Sequence, residues 1–172
     1  MTKNKKTVAV FFGGRSPEHD VSVVTGLQVL SAIDESQYDA FPVYVAPDGE
    51  WRIGDVLRER GNYLLSADNL KQTKAVTLDP KADRGGRLIS KRGGFLGQTK
   101  PIEFDIAMPC FHGLYGDDGN IQGLFELTNI PYTGMRTFAS SVLMDKAATK
   151  RMLHSADIPT LPYAVLNRPK KG

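Results

Sequence analysis

Phe111-His-Gly-Leu-Tyr-Gly-Asp-Asp-Gly-Asn-Ile-Gln-Gly123 carries four glycines, one histidine and two aspartates between an apolar run and an amphipathic segment. The run before it, Ile106-Ala-Met-Pro-Cys-Phe111, has the length and apolarity of a buried strand. After it, Ile121, Leu124, Phe125 and Thr128 recur at the spacing of one helix face. The stretch therefore reads as strand, glycine-rich loop and helix start. Glycine lets the backbone enter positive φ and lets a ligand approach the main chain. The N-terminus of the following helix offers free N–H groups to an anion. An ordinary strand–helix turn has the same glycines; His112 at its mouth and Asp117-Asp118 before the helix favour a functional loop.

At 172 residues the chain is one domain, or one domain and the start of another, and 41% hydrophobic content suffices for a core. Net charge is +3 and the pI about 9.0. Much of the excess sits between Lys81 and Lys100, where Arg84, Arg87, Lys91 and Arg92 face only Asp83. No aromatic–basic repeat accompanies it, so the run reads as a solvated loop and not as a nucleic-acid surface. A single cysteine, Cys110, excludes an intramolecular disulfide and fits a reduced, cytoplasmic setting. The charged N-terminus precedes only a short apolar strand, which is neither a signal peptide nor a membrane span.

A second strand–glycine loop–helix unit opens the chain. Thr7-Val-Ala-Val-Phe-Phe12 is a strand buried on both faces. Gly13-Gly-Arg-Ser-Pro-Glu-His-Asp20 follows, and then a helix with Val23, Leu27 and Leu30 on one stripe. The glycine spacing matches neither the dinucleotide fingerprint nor the phosphate loop. Ser16 is placed as N-cap, Pro17 and Glu18 in the first turn, where an acid complements the helix dipole. Tyr38 to Ala46 reads as the next strand, Pro47-Asp-Gly49 as a turn, and Trp51-Arg-Ile53 as a short returning strand with its tryptophan in packing. Gly54 to Lys74 has a helical turn near Val56 and Leu57. Ala75 to Leu78 and Arg87 to Ser90 are short strands, and Asp79 to Pro101 is a hairpin-like excursion with mobile tips.

Beyond the central loop, Ile130 to Gly134 is a brief strand and turn. Asp145 caps a helix that Ile158-Pro159 ends. Lys146 falls in that helix's first turn, where a cation opposes the macrodipole and, taken alone, is a solvated surface residue. Thr160 to Leu166 is expected to be one more strand, after which the chain looks cut. Alternating strands and helices predict a mostly parallel sheet with right-handed crossovers. Ligands bind such sheets at the carboxyl ends of the strands. Both glycine loops would open on that edge and bring Glu18 and His112 together. A carboxylate and an imidazole across a crevice suit a small zwitterion, one for its ammonium and one for its carboxylate.

The motifs Phe12-Gly-Gly-Arg-Ser-Pro-Glu-His-Asp-Val-Ser22, His112 to Gly123, Pro131-Tyr-Thr-Gly134 and Ala139-Ser-Ser-Val-Leu-Met-Asp-Lys146 occur in order over nearly the whole chain. In this the sequence resembles the N-terminal part of the D-alanine–D-alanine ligases of the ATP-grasp superfamily. Gly116-Asp-Asp-Gly119 replaces the family's usual Gly-Glu-Asp-Gly, a conservative shortening. The D-alanine–D-lactate ligases share these motifs.

The resemblance implies a Rossmann-like, pre-ATP-grasp substrate domain over 1–135, with 136–172 as a helical linker and the first strand of an ATP-grasp domain. It implies that ATP, with Mg²⁺, phosphorylates the carboxylate of a first D-alanine, and that a second D-alanine attacks the acyl phosphate to give the peptidoglycan dipeptide. Glu18 would anchor the first ammonium, Val21 would line that subsite, His112 would lie near the activated carboxylate, and Lys146 would reach ATP phosphates. The adenine pocket, the metal carboxylates and the oxyanion arginine belong to a later part of family members, so this chain alone is expected to be inactive and to bind neither ATP nor metal. Homodimerisation is implied as well. The competing readings are a stand-alone amino-acid-binding module and a dimerisation domain, both without catalysis.

Overall fold

A computed structural model describes residues 5–63, 67–80, 85–90 and 100–167. The first apolar run forms β1 (Lys6–Gly13), flanked on both sides by parallel strands, β2 (Tyr38–Val45) and β7 (Ile106–Pro109). Strand alternation sends Ala9 and Phe11 into one core and Val8, Val10 and Phe12 into another, all fully or almost fully buried. Helix α1 (His19–Ala32) crosses from β1 to β2 and covers the second core with Val23 and Leu30. Helix α3 (Asn120–Leu127) covers the first with Ile121 and Phe125. The expected two-faced strand and both expected helices are therefore present.

The sheet is mixed and not mostly parallel. β3 (Trp51–Ile53), β4 (Lys74–Leu78), β5 (Gly86–Ser90) and β6 (Ile102–Phe104) continue from β2 by antiparallel pairing, in the order β6-β5-β4-β3-β2-β1-β7. The turn at Pro47-Asp48-Gly49 is too short for a crossover, which takes a dozen residues or more, so β3 can only return antiparallel. The described strand of the segment read as an excursion, β5, belongs to the sheet, with Leu88 buried in the first core beside Val76 and Phe104 of the neighbouring strands. The tips expected to be mobile, 81–84 and 91–99, lie outside the described residues.

The sheet also curls. Five strand spacings separate β1 from β6, about 24 Å in a flat sheet at roughly 4.8 Å per step. The Phe11 and Phe104 rings nevertheless stand 5.9 Å apart, centroid to centroid. One residue, Asp105, joins β6 to β7, so the two ends of the strand order meet there. Its N–H donates to Thr7 O at 2.9 Å, while its carboxylate accepts the Thr7 N–H at 2.8 Å and the Lys6 ammonium at 3.0 Å. Phe11 fills the enclosed space with Trp51, Phe104 and Phe125 around it.

Two 3₁₀ turns (Asp55–Arg58 and Arg60–Tyr63) and the short α2 (Ala67–Lys71) occupy the weakly patterned region. Tyr132 bridges to Ala107 beside β7, as the brief strand at 130–134 anticipates. Helices α4 (Thr137–Met144) and α5 (Lys146–Ser155) follow, and Asp145 accepts the Ala147 and Ala148 N–H groups as the expected cap. Glu126 joins this region to α3 by accepting from Tyr132, Arg136 and the Thr137 N–H, which hold its carboxyl down at about 2. The strand expected at 160–166 is absent: Leu161 to Leu166 are exposed, and the run pairs with no strand among the described residues. Strand ladders need a partner edge; here Lys150 reaches across to Leu161 O and over the Tyr163 ring. Among the described residues no helix is long and apolar enough to cross a membrane.

The Asp105 seam has a pH signature. The Thr7 N–H bond first, and Lys6 second, hold the carboxyl below its ordinary value. Its contribution is therefore complete above the unfolded-state carboxyl value and lost as pH falls through the lower folded value. Asp105→Asn should lower stability by about 1 kcal/mol, the modest figure expected of a half-exposed charged hydrogen bond. Urea unfolding at neutral and at acid pH checks this, the gap between variant and native closing in acid.

Candidate functional site

The parallel strands β1 and β7 end at the same sheet edge, and each leads into a glycine loop. At Gly13 the chain leaves β1 at φ +94°, and a Cβ there would lie 2.3 Å from Val45 O. The Gly14 N–H donates to that same carbonyl at 2.7 Å. Ser22, fully buried on α1, then ties the two strand ends together. Its Oγ accepts the Gly13 N–H and donates to Cys110 O, both at 2.8 Å. His19 fixes the loop from the other side: its Nδ1 lies 2.6 Å from Gly14 O and its Nε2 3.1 Å from the Tyr44 hydroxyl. A carbonyl only accepts, so Nδ1 carries the proton and Nε2 accepts from Tyr44. Burial, followed by Asp20 and Asp48, pushes the Tyr44 phenol up to about 12, so it remains a donor.

Glu18 differs from the sequence expectation. The Glu18 N–H donates to Ser16 Oγ, but this closes a separate turn, and α1 begins only at His19. Glu18 is the N-cap residue, and its carboxylate makes no capping bond. It projects instead over the second loop: a methyl group on Gly113 would come within 2.0 Å of Glu18 Oε2 and 2.6 Å of Ser16 Oγ. Gly113 also holds φ +71°, a left-handed conformation costly for other residues. Its neighbour His112 is half-buried, with Nε2 2.8 Å from Thr25 Oγ1 on α1. Val21, one turn before Thr25 on the same helix face, is 56% exposed. Glu18, Val21 and His112 thus gather around α1 and the Gly113 loop.

The two aspartates of this loop brace it. Asp117 accepts the Gly113 N–H at 3.0 Å, and Asp118 accepts the Tyr115 and Asn120 N–H groups at 2.8 and 3.2 Å. Burial raises the Asp118 carboxyl, but these N–H bonds together outweigh it and leave the group below its ordinary value. Asp118 also steadies Tyr115, a non-glycine residue at φ +66°. Gln122 donates to Gly116 O at 2.9 Å and completes the bracing. A hollow of about 260 Å³ beside these loops is walled by Gly14, Arg15, Trp51, Phe111, Leu114 and Tyr115, and Glu18 and His112 are not among its walls.

Lys146 stands on α5, which packs on α4. It is exposed and makes no ion pair among the described residues, while Asp145 occupies the helix's leading N–H groups. Among the described residues no three His, Cys, Asp or Glu side chains converge as a metal site. Burial raises the Cys110 thiol to about 11. Sequence reasoning passed over Ser22, Thr25 and His19, although Thr25 sits seven residues after Glu18, two turns along one helix face.

A family model described as D-ala D-ala ligase N-terminus matches residues 7–135. The chain belongs to the D-alanine–D-alanine ligase family. It is 39% identical over 173 residues to a D-alanine–D-alanine ligase of Rhodococcus jostii, covering 98% of this chain and 46% of that protein. The D-alanine–D-alanine ligase of Coxiella burnetii superposes with a TM-score of 0.76 at 27% identity, over 93% of this chain and 44% of that one. The VanG D-Ala:D-Ser ligase of Enterococcus faecalis gives 0.75 at 28%, over 90% and 43%. The chain spans under half the length of the curated relatives it matches. As an N-terminal ligase domain it has the seven-stranded mixed sheet and flanking helices described above.

The Ser22 stitch is the element on which this edge depends. Ser22→Ala leaves a buried N–H and a buried carbonyl unpaired, at a cost of about 1–3 kcal/mol. Urea unfolding should show that loss, with the slope against denaturant unchanged.

Proposed function

We propose that this chain supplies the first amino-acid subsite of an ATP-dependent D-alanine–D-alanine ligase. The observation that carries the reading is the Glu18 carboxylate poised over Gly113, beside His112, where two neighbouring parallel strands end. Glu18 accepts no side-chain hydrogen bond among the described residues, so its oxygens are open to the ammonium of a first D-alanine. His112 turns towards the carboxylate of the same molecule, and the exposed Val21 offers an apolar contact to its methyl group. The loop acids are already engaged, which leaves one anionic and one imidazole group for a zwitterion.

ATP, with Mg²⁺, supplies the phosphoryl group that activates the first carboxylate for attack by the second amine. Within this chain the residue suited to its phosphates is Lys146, whose ammonium is exposed and unpaired among the described residues. Positions 1–135 form the substrate domain in this proposal, and 136–172 the passage to an ATP-grasp domain; the exposed Phe138, at 71%, and Leu161, at 80%, support that division. Synthesis of the peptidoglycan dipeptide in the cytoplasm, a homodimeric enzyme and independence from membrane and nucleic acid belong to the same proposal. D-alanine is proposed as second substrate on the 39% identity to the Rhodococcus jostii ligase.

Glu18→Gln in the complete ligase tests the reading. Hydrogen bonds to charged groups contribute about 1.5–3 kcal/mol, so the KM for the first D-alanine should rise roughly tenfold to a hundredfold. The KM for ATP should hold. An unchanged D-alanine constant with slightly lower Tm would return Glu18 to a helix-dipole role. The 172-residue chain itself, given ATP, Mg²⁺ and D-alanine, is expected to release no phosphate above a blank; steady turnover would overturn that expectation.

A further inference from the structure

Thr25 takes part in two contacts with one hydroxyl. Its Oγ1 is 3.1 Å from Val21 O, one helical turn back, and 2.8 Å from His112 Nε2. A hydroxyl has one proton to donate and two lone pairs to accept with. Val21 O is a carbonyl and only accepts, so its contact with Oγ1, made in addition to its helix bond, closes only with the Thr25 hydroxyl proton. The second contact then closes only if Nε2 carries a hydrogen and donates it to Oγ1. The reverse arrangement, with Thr25 donating to Nε2, forfeits the Val21 bond and makes one hydrogen bond where two are available. Nδ1 has no hydrogen-bond partner among the described residues.

We infer that Thr25 is the positioning residue of His112: it holds the ring as the Nε2–H form and leaves Nδ1 as the atom that meets the substrate carboxylate. The inference rests on the amino-acid subsite reading for its substrate, though not for its geometry. With Nε2–H engaged, a proton taken from solvent can enter the ring only at Nδ1. The resulting N–H faces away from Thr25 and can donate to an anion, while the Thr25 bond persists. Thr25 itself rides on α1 three residues after Ser22, whose buried stitch fixes that helix against the ends of β1 and β7. The heading of the imidazole is therefore set by α1 rather than by the glycine loop that carries it.

Ring ¹⁵N spectra of the 172-residue chain, in alkaline solution where imidazoles are neutral, read this directly. His112→Gln assigns the signal among the three histidines. The native chain should show His112 with a protonated Nε2 and a lone pair on Nδ1. Its Nε2 proton should exchange about tenfold more slowly than that of the exposed His154, the effect of one hydrogen bond of about 1.4 kcal/mol. Thr25→Val, which keeps the branched shape, should abolish that protection, and Thr25→Ser should restore it. A native spectrum with the proton on Nδ1, or protection that survives in Thr25→Val, overturns the inference, and the first of these needs no variant to fold. Adding D-alanine at about pH 6.5, where imidazoles in general take up their second proton, separates the two readings. Movement of the His112 Nδ1 signal supports both; a native tautomer as stated with an Nδ1 signal indifferent to saturating D-alanine sinks the subsite reading and leaves the Thr25 assignment standing.

Discussion

A single buried hydroxyl holds this edge of the protein together. Two strands that end side by side, each followed by a sharp glycine turn, leave a donor at Gly13 and an acceptor at Cys110 with no ladder partner. Buried backbone groups of that kind must be paired. Ser22 pairs both at once, from a helix that already packs against β1. Serine is an indifferent residue inside a helix, and its presence at a fully buried position is explained by this double bond. Helix, loop and strand ends are thereby fixed together, and the placement of every side chain in the crevice follows from that.

The site can be read as a division between groups that are used up and groups that are left over. Asp117 and Asp118 accept N–H groups of their own loop, and Gln122 Nε2 donates to Gly116 O. His19 is spent on Gly14 and Tyr44. These bonds make the loops rigid, which is what lets a small ligand be held without ordering the protein at the moment of binding. What remains outward is a carboxylate, an exposed aliphatic side chain and one nitrogen of an imidazole. The selection is made by geometry: residues of similar polarity, a few positions apart, end with opposite assignments.

Features governed by local rules could be read directly from the chain. β1 announced itself because five consecutive apolar residues suit only a strand covered on both faces, and Asp145 because a cap needs nothing beyond the two N–H groups that follow it. Features governed by distant partners could not. Ile102-Glu-Phe104 is too short to show a period, and it is a strand only because β5 lies alongside. Thr160 to Leu166 has strand composition and no strand beside it among the described residues. The glycine motifs pointed correctly to the loops, yet the bracing role of Asp117 and Asp118 required knowing which N–H groups the fold leaves bare. Thr25 looked like any helix-surface threonine until the loop from the far end of the sheet was laid over it.

Strand β1 acquires its second neighbour late. Thr7 and Asp105 are 98 residues apart, and everything between them, including four antiparallel strands, must be made before β7 can dock. At synthesis rates of about 5–20 residues per second, one side of β1 stays open for roughly 5–20 s. An apolar strand with a bare edge is a template for pairing with other chains. The same arrangement dictates that the His112 loop arrives last, onto a Glu18 loop that has already been waiting. In the nascent protein, completion of the crevice and covering of the open edge of β1 are therefore one event.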